Sequence, residues 1–216
     1  MKQILSEADK TYLENKIRAA ETETRAQIVL AVIRRCDNYP AIPWKAFALV
    51  ASLTGLAVVA LHFLFPIWIS VHVILLSVTT ILAAGTAAAL LTIIWPGFAL
   101  LFLTRNQREA ETRQYAGSLF LSHELFATEG RRGVLIMTGL FERHVVILPD
   151  TGLNQWLDKA EMNGIISGMK PLLRSGNLRE ALEAGLKGLV EALQPPLPDT
   201  TCKNELPDQI IEEEGE

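Results

Sequence analysis

Five side-chain patterns in this 216-residue chain could in principle do chemistry. His123-Glu124 opens like the helical zinc-protease motif, in which two histidines one turn apart hold the metal and the glutamate acts as base. Ala127 stands where the second histidine belongs, so the ligand pair is missing and His123 reads as an ordinary helix residue. Ser118 and Ser122 lack the strand-turn-helix setting of a hydrolase nucleophile. Cys36 and Cys202 are too few and too widely spaced for a disulfide framework or a zinc site, and as free thiols they suit a reducing compartment. His144 begins an apolar run with no Cys or second His near it, and no glycine-rich phosphate loop follows a strand. Arg131-Arg132 remain: adjacent guanidinium groups in a loop can hold an anion, a lipid headgroup or a partner, although arginine is mostly solvated in any fold. The residue types alone define no catalytic centre and call for no metal or cofactor.

The elements that position these residues are easier to read. The 24 acidic and 20 basic side chains give a net charge of −4. The mean hydropathy of +0.25 is high for so charged a chain. Segregation explains it, because no Asp, Glu, Lys or Arg occurs from residue 46 to residue 104. A run of that length exceeds any globular core helix and excludes a purely soluble protein, while a bilayer span needs only ~20 apolar residues. Residues 46–65 supply one span and residues 69–94 a longer second, broken at Pro66; Trp44, Trp68 and Trp95 stand near the ends, where indoles favour the headgroup level. The expectation is a two-helix transmembrane hairpin over 44–104. Small residues at four-residue spacing, Ala51/Gly55 and Gly85/Ala89, allow close helix approach within it. His62 and His72 fall near the connection. Arg34, Arg35 and Lys45 precede the hairpin and Arg105, Arg108 and Arg113 follow it, whereas the connection has no basic residue. The positive-inside rule then puts both termini in the cytoplasm.

Residues 1–38 and 105–194 supply the soluble elements. Ser6 with Glu7 and Asp9 marks a helix start, and Leu13, Ile17 and Ala20 continue at helical spacing. Ile28, Val29, Leu30, Ala31, Val32 and Ile33 form a β-branched run that predicts a strand buried on both faces. Residues 105–128 read as a helix, 134–137 and 145–148 as two strands of a hairpin, and 153–173 and 177–193 as helices. Residues 195–216, acidic after Pro195-Pro196, read as a disordered tail. A strand isolated before the hairpin cannot form a sheet, so the two soluble segments are expected to fold together. No basic face of the kind nucleic acid requires is visible.

The segment Thr128-Glu129-Gly130-Arg131-Arg132-Gly133-Val134-Leu135-Ile136, followed by Leu140-Phe141-Glu142-Arg143-His144-Val145-Val146-Ile147, resembles the TPM domain family, named after thylakoid lumen, photosystem II repair and acetylcholine-receptor auxiliary proteins. Leu5-Ser6-Glu7-Ala8-Asp9, Thr22 to Val29, Met169 to Leu173 and Gly176-Asn177-Leu178 are similar to the same family. The resemblance implies an α/β/α sandwich with a small mixed sheet, here interrupted by the transmembrane hairpin. It also implies, from relatives reported to bind calcium or to act as phosphatases, acidic residues at one end of the sheet. Many relatives carry Asp-Asn before the Gly-Val-Leu strand; Arg131 and Arg132 replace it here, removing oxygen ligands and adding positive charge. Asp150, after the third strand, is the one acid at a matching loop, with Asp37 a candidate neighbour; a lone Asp there is more often a turn or cap residue.

The missing acids favour a non-catalytic accessory protein that helps assemble or stabilise an integral membrane protein complex. A membrane-bound phosphatase-like hydrolase is the alternative, and a transporter subunit ranks behind both because two spans offer no charged pathway.

Overall fold

The computed structural model describes residues 4–65, 70–194 and 210–215. It divides into two units, residues 1–37 with 108–216, and residues 38–107.

The first unit starts with helix α1 (Glu7–Thr24). Ser6 caps it by accepting the Asp9 N–H at 3.2 Å, and Glu7 and Asp9 complement the positive helix end. Leu13, Ile17 and Ala20 are its buried face. Arg25, at φ 62°, ends the helix and turns the chain into strand β1 (Gln27–Arg35). The buried Glu21 carboxylate fixes that turn by accepting the Ile28 N–H at 2.8 Å.

Strand β1 is buried on both faces, as its composition predicts. Ile28, Leu30 and Val32 enter one core with residues from α1; Val29, Ala31 and Ile33 enter a second. It lies inside a four-stranded sheet of order β3-β2-β1-β4. Strand β2 (Gly133–Gly139) runs parallel to it, Ile28 opposite Val134 and Ile33 opposite Gly139, and β3 (His144–Pro149) returns antiparallel to β2. The segments flanking the apolar hairpin therefore do form one sheet. Helices α6 (Lys159–Arg174) and α7 (Leu178–Ala192) join α1 over one face, while α5 (Arg105–Ser122) covers the other through Ala116 and Leu119. This is the expected α/β/α sandwich with a small mixed sheet.

Three expectations need correction. The tail is not disordered throughout: residues 211–215 form β4 (Ile211–Gly215), parallel to β1. Its acids have long-range partners, which composition conceals. Glu212 accepts the Leu5 N–H at 3.0 Å and ion-pairs with Lys10 at 3.2 Å, and Glu213 accepts the Tyr115 hydroxyl. Residues 195–209, with Pro195, Pro196 and Cys202, lie outside the described residues. Helix α5 stops at Ser122 rather than 128, because Glu124 turns left-handed and a short 3-10 turn (Leu125–Ala127) leads into β2. Helix α6 begins at Lys159 rather than 153, where Asp158 Oδ1 accepts the N–H groups of Ala160 and Glu161.

The second unit holds α2 (Ala41–Leu64) and α3 (Val71–Ile94), two helices long and apolar enough to cross a membrane. At ~1.5 Å per residue each reaches beyond a hydrocarbon core of ~30 Å. Gly85 is where they approach closely: a Cβ there would stand 2.9 Å from the Phe47 ring. His62 lies in the last turn of α2 and gives a ring nitrogen to the Val58 carbonyl at 2.8 Å. His72 lies in the first turn of α3; both flank the connection, as expected, and the connection itself (66–69, with Pro66 and Trp68) lies outside the described residues. Trp95 ends α3, and Pro96 opens the four-residue α4 (Pro96–Ala99).

Candidate functional site

The parallel register fixes which residues share an end of the sheet. Gln27 sits opposite Gly133, and Val134 opposite Pro149. The loop entering β2 and the turn leaving β3 therefore meet, bringing Arg131 and Arg132 to Asp150. The backbone locks them there: Asp150 donates its N–H to the Gly133 carbonyl at 2.8 Å, and Gly152 donates to Arg131 at 3.0 Å. Gly152 cannot be larger, since a Cβ would collide with the carbonyl oxygens of Gly130 and Arg131.

Asp150 is buried, 4% exposed. Its Oδ1 accepts the Thr151 N–H at 2.7 Å, capping a short 3-10 turn (Thr151–Leu153), and Arg131 Nε at 3.1 Å. Oδ2 lies 2.9 Å from the same Nε, an ion pair whose geometry makes no hydrogen bond. Arg131 holds a left-handed φ of 57°, and its guanidinium carbon stands 5.9 Å over the Phe126 ring. So Asp150 is a cap residue, as the bland reading has it, and also the counter-ion of Arg131. Arg132 contributes its backbone to the same loop, giving its N–H to Thr128 Oγ1 and its carbonyl to Gln27. One carboxylate already paired with a guanidinium offers few of the roughly six to eight oxygens that calcium takes. Among the described residues, no group of three or more His, Cys, Asp or Glu is placed to hold a metal.

Asp37 does not join this site. It follows β1 at the opposite end of the sheet, a strand of nine residues away from Gln27, which at ~3.3 Å per residue is more than 25 Å. At that far end Cys36 gives its N–H to the buried Glu142 carboxylate at 2.9 Å. Burial, and then the neighbouring Glu142, push the Cys36 thiol far above its usual range, which keeps it protonated and inert. His123, Glu124, Ser118 and Ser122 are exposed around the C-terminal half of α5. The pairing of Arg131 with Asp150 had no signal in sequence, because 19 residues separate them.

Fold and site together define an α/β/α sandwich domain interrupted by an apolar helical hairpin, with a closed salt bridge where an acidic loop cluster would stand. The model of the TPM domain matches residues 97–192, from α4 through α7. The NMR structure of the BA42 protein from the psychrophilic bacterium Bizionia argentinensis is similar, with a TM-score of 0.58 at 14% identity over 98% of this chain and 97% of that one. No curated protein matches. The domain match thus supports the TPM resemblance read from the residues, and the likeness to BA42 supports the fold.

Proposed function

We propose that the chain is a membrane-anchored, TPM-type accessory protein that helps assemble or stabilise an integral membrane protein complex, with the hairpin in the bilayer and the α/β domain on the cytoplasmic side. One observation carries the reading: Arg131 occupies the loop before β2 and neutralises Asp150, the acid a metal site or hydrolase would need there. The length and apolarity of α2 and α3 support the anchor, and the basic residues on both flanks support the orientation.

The test is purification of the full chain in mild detergent, with identification of stoichiometric companions and an assay of phosphomonoester hydrolysis with calcium or magnesium. A stoichiometric membrane protein without hydrolysis supports the accessory reading. Metal-dependent phosphate release that Asp150→Ala abolishes overturns it in favour of the hydrolase. Changing Arg131→Asp together with Arg132→Asn places a carboxylate beside Asp150; calcium should then raise the thermal midpoint of the variant and leave the wild type unmoved. Orientation is read with Cys36→Ser, which leaves Cys202 as the single thiol. An impermeant reagent that labels Cys202 in intact cells would reverse the topology.

A further inference from the structure

At the end of the sheet away from Asp150, a cavity of about 520 Å³ opens between the β2–β3 turn and the last turn of α6. Its charged lining is of one sign. Arg108, Arg143, Lys170 and Arg174 border it with His144, and no Asp or Glu does. Lys170 and Arg174 stand one turn apart on α6, a spacing at which like charges repel. Among the described residues, Arg143, Lys170 and Arg174 form no ion pair that would offset this. Arg143 sits in the turn at φ 53°, a conformation easier for Gly or Asn, and so brings a guanidinium to the cavity wall.

A second observation is independent of charge. Thr138, on the cavity wall, is 2% exposed, and its hydroxyl has no hydrogen-bond partner among the described residues. Strand alternation places it on the same face of β2 as Val134 and Ile136, the face that α6 covers. A buried hydroxyl without a partner is costly, and a ligand oxygen at the cavity would satisfy it.

We infer that this cavity binds a phosphate-bearing anion, held by Arg143, Lys170 and Arg174 and by a hydrogen bond from the Thr138 hydroxyl. Phosphate suits the set because its oxygens accept both the guanidinium fork and the ammonium point charge. The apolar part of the wall, Leu140, Val145 and Leu173, fits an organic group attached to that phosphate. The source of the phosphate is either a soluble monoester or a lipid headgroup. Both belong in the test because the chain leaves this end of the domain after Asp37 and re-enters at Arg108: Leu140 and Phe141 donate to the carbonyls of Ile33 and Arg34 at the close of β1. The inference is independent of the accessory reading, since it uses neither Arg131 nor Asp150.

The experiment is calorimetric titration of the full chain in neutral detergent with phenyl phosphate and with dihexanoyl phosphatidic acid, against sodium chloride at matched ionic strength. Binding of phenyl phosphate identifies a soluble ligand class; binding of the short-chain lipid alone identifies a headgroup. In either case Lys170→Gln with Arg174→Gln should weaken binding by about tenfold or more, the scale of losing charge-assisted hydrogen bonds. Both side chains are exposed, so the double variant keeps its fold, and relief of repulsion should leave its thermal midpoint unchanged or higher. Thr138→Val adds an opposed pair of readouts: the ligand-free midpoint holds or rises, while affinity falls. No heat from either ligand, equal affinity in the double variant, or a Thr138→Val variant that binds as well as wild type overturns the proposal.

Discussion

Arg131→Ala should leave the Asp150 carboxylate buried with only the Thr151 N–H to stabilise its charge. The magnitude follows from the exposure of the two side chains, 52% for Arg131 and 3% for Asp150. Removing one partner of a fully buried pair costs about 3–5 kcal/mol, and an exposed pair is worth about 0–1 kcal/mol. With the acid desolvated and the base half in water, the expected loss is about 2 kcal/mol. Asp150→Asn keeps an acceptor for Thr151 and frees an arginine that can rehydrate, so about 1 kcal/mol is expected. The double variant strands no charge and should cost clearly less than the sum, with a coupling of about 1 kcal/mol. Urea unfolding of the full chain in mild detergent, for all four members of the cycle, gives these numbers. If Arg131→Ala costs under about 0.5 kcal/mol, or the two changes simply add, Arg131 is not the counter-ion on which Asp150 depends, and the argument that this site is closed fails.

Glu183 is held below its usual value of 4.5, first by the Tyr12 hydroxyl and then by Lys16. A lowered carboxylate stabilises the fold above its unfolded pKa and loses that contribution as pH falls through the folded value. Glu183→Gln should therefore lower the urea midpoint at pH 7 and converge with wild type as the pH falls from 4.5 through the lowered folded value, in a titration of both proteins. Cys36 should resist alkylation by iodoacetamide in the native protein and react fully in urea; rapid native labelling would contradict its burial and raised thiol pKa. Residues 105–194 expressed alone should aggregate or stay molten, because β2 then lacks β1 along its length. Joining residues 1–38 to 105–216 through a short flexible linker should restore cooperative unfolding, and a fragment as stable as the fusion would refute the split-sheet fold.

The elements legible in the sequence were those with a strong local signal. The charge-free stretch was best filled by two apolar helices, the two-faced run of β1 demanded a central strand, and Ser6 with its acids announced a helix start. What escaped was decided by distant partners. Ile211-Glu212-Glu213-Glu214-Gly215 reads as solvated tail until Leu5, Lys10 and Tyr115 supply partners for its carboxylates. Residues 151–153, read as the start of α6, are instead a 3-10 turn held by Asp150 and by the Gly152 N–H on the Arg131 carbonyl, and α6 waits for its cap at Asp158. Of the three candidate site residues, Arg131 and Asp150 meet as a pair, which no spacing rule anticipates. Arg143, Lys170 and Arg174 come together only because a strand turn and a helix end meet across the sheet.

The parallel pairing of β1 with β2 has a further consequence for the order in which the molecule forms. Residues 36–132 separate the two strands, so during synthesis β1 emerges long before the neighbour it needs. Throughout that interval a six-residue apolar ribbon, 28–33, carries unpaired amide groups on both edges, the kind of edge other chains add to. Docking α2 against α3 shortens the path between the strands by contributing 54 residues (41–94) as a closed loop. The entropy recovered in joining β1 to β2 is then under about 1 kcal/mol, since closure cost grows only logarithmically with length. Time of exposure, more than closure entropy, is thus the hazard. Slowed synthesis between residues 36 and 132 would therefore surface as aggregation seeded by β1, whereas Gly85→Leu, which forces α2 and α3 apart, would change that hazard little.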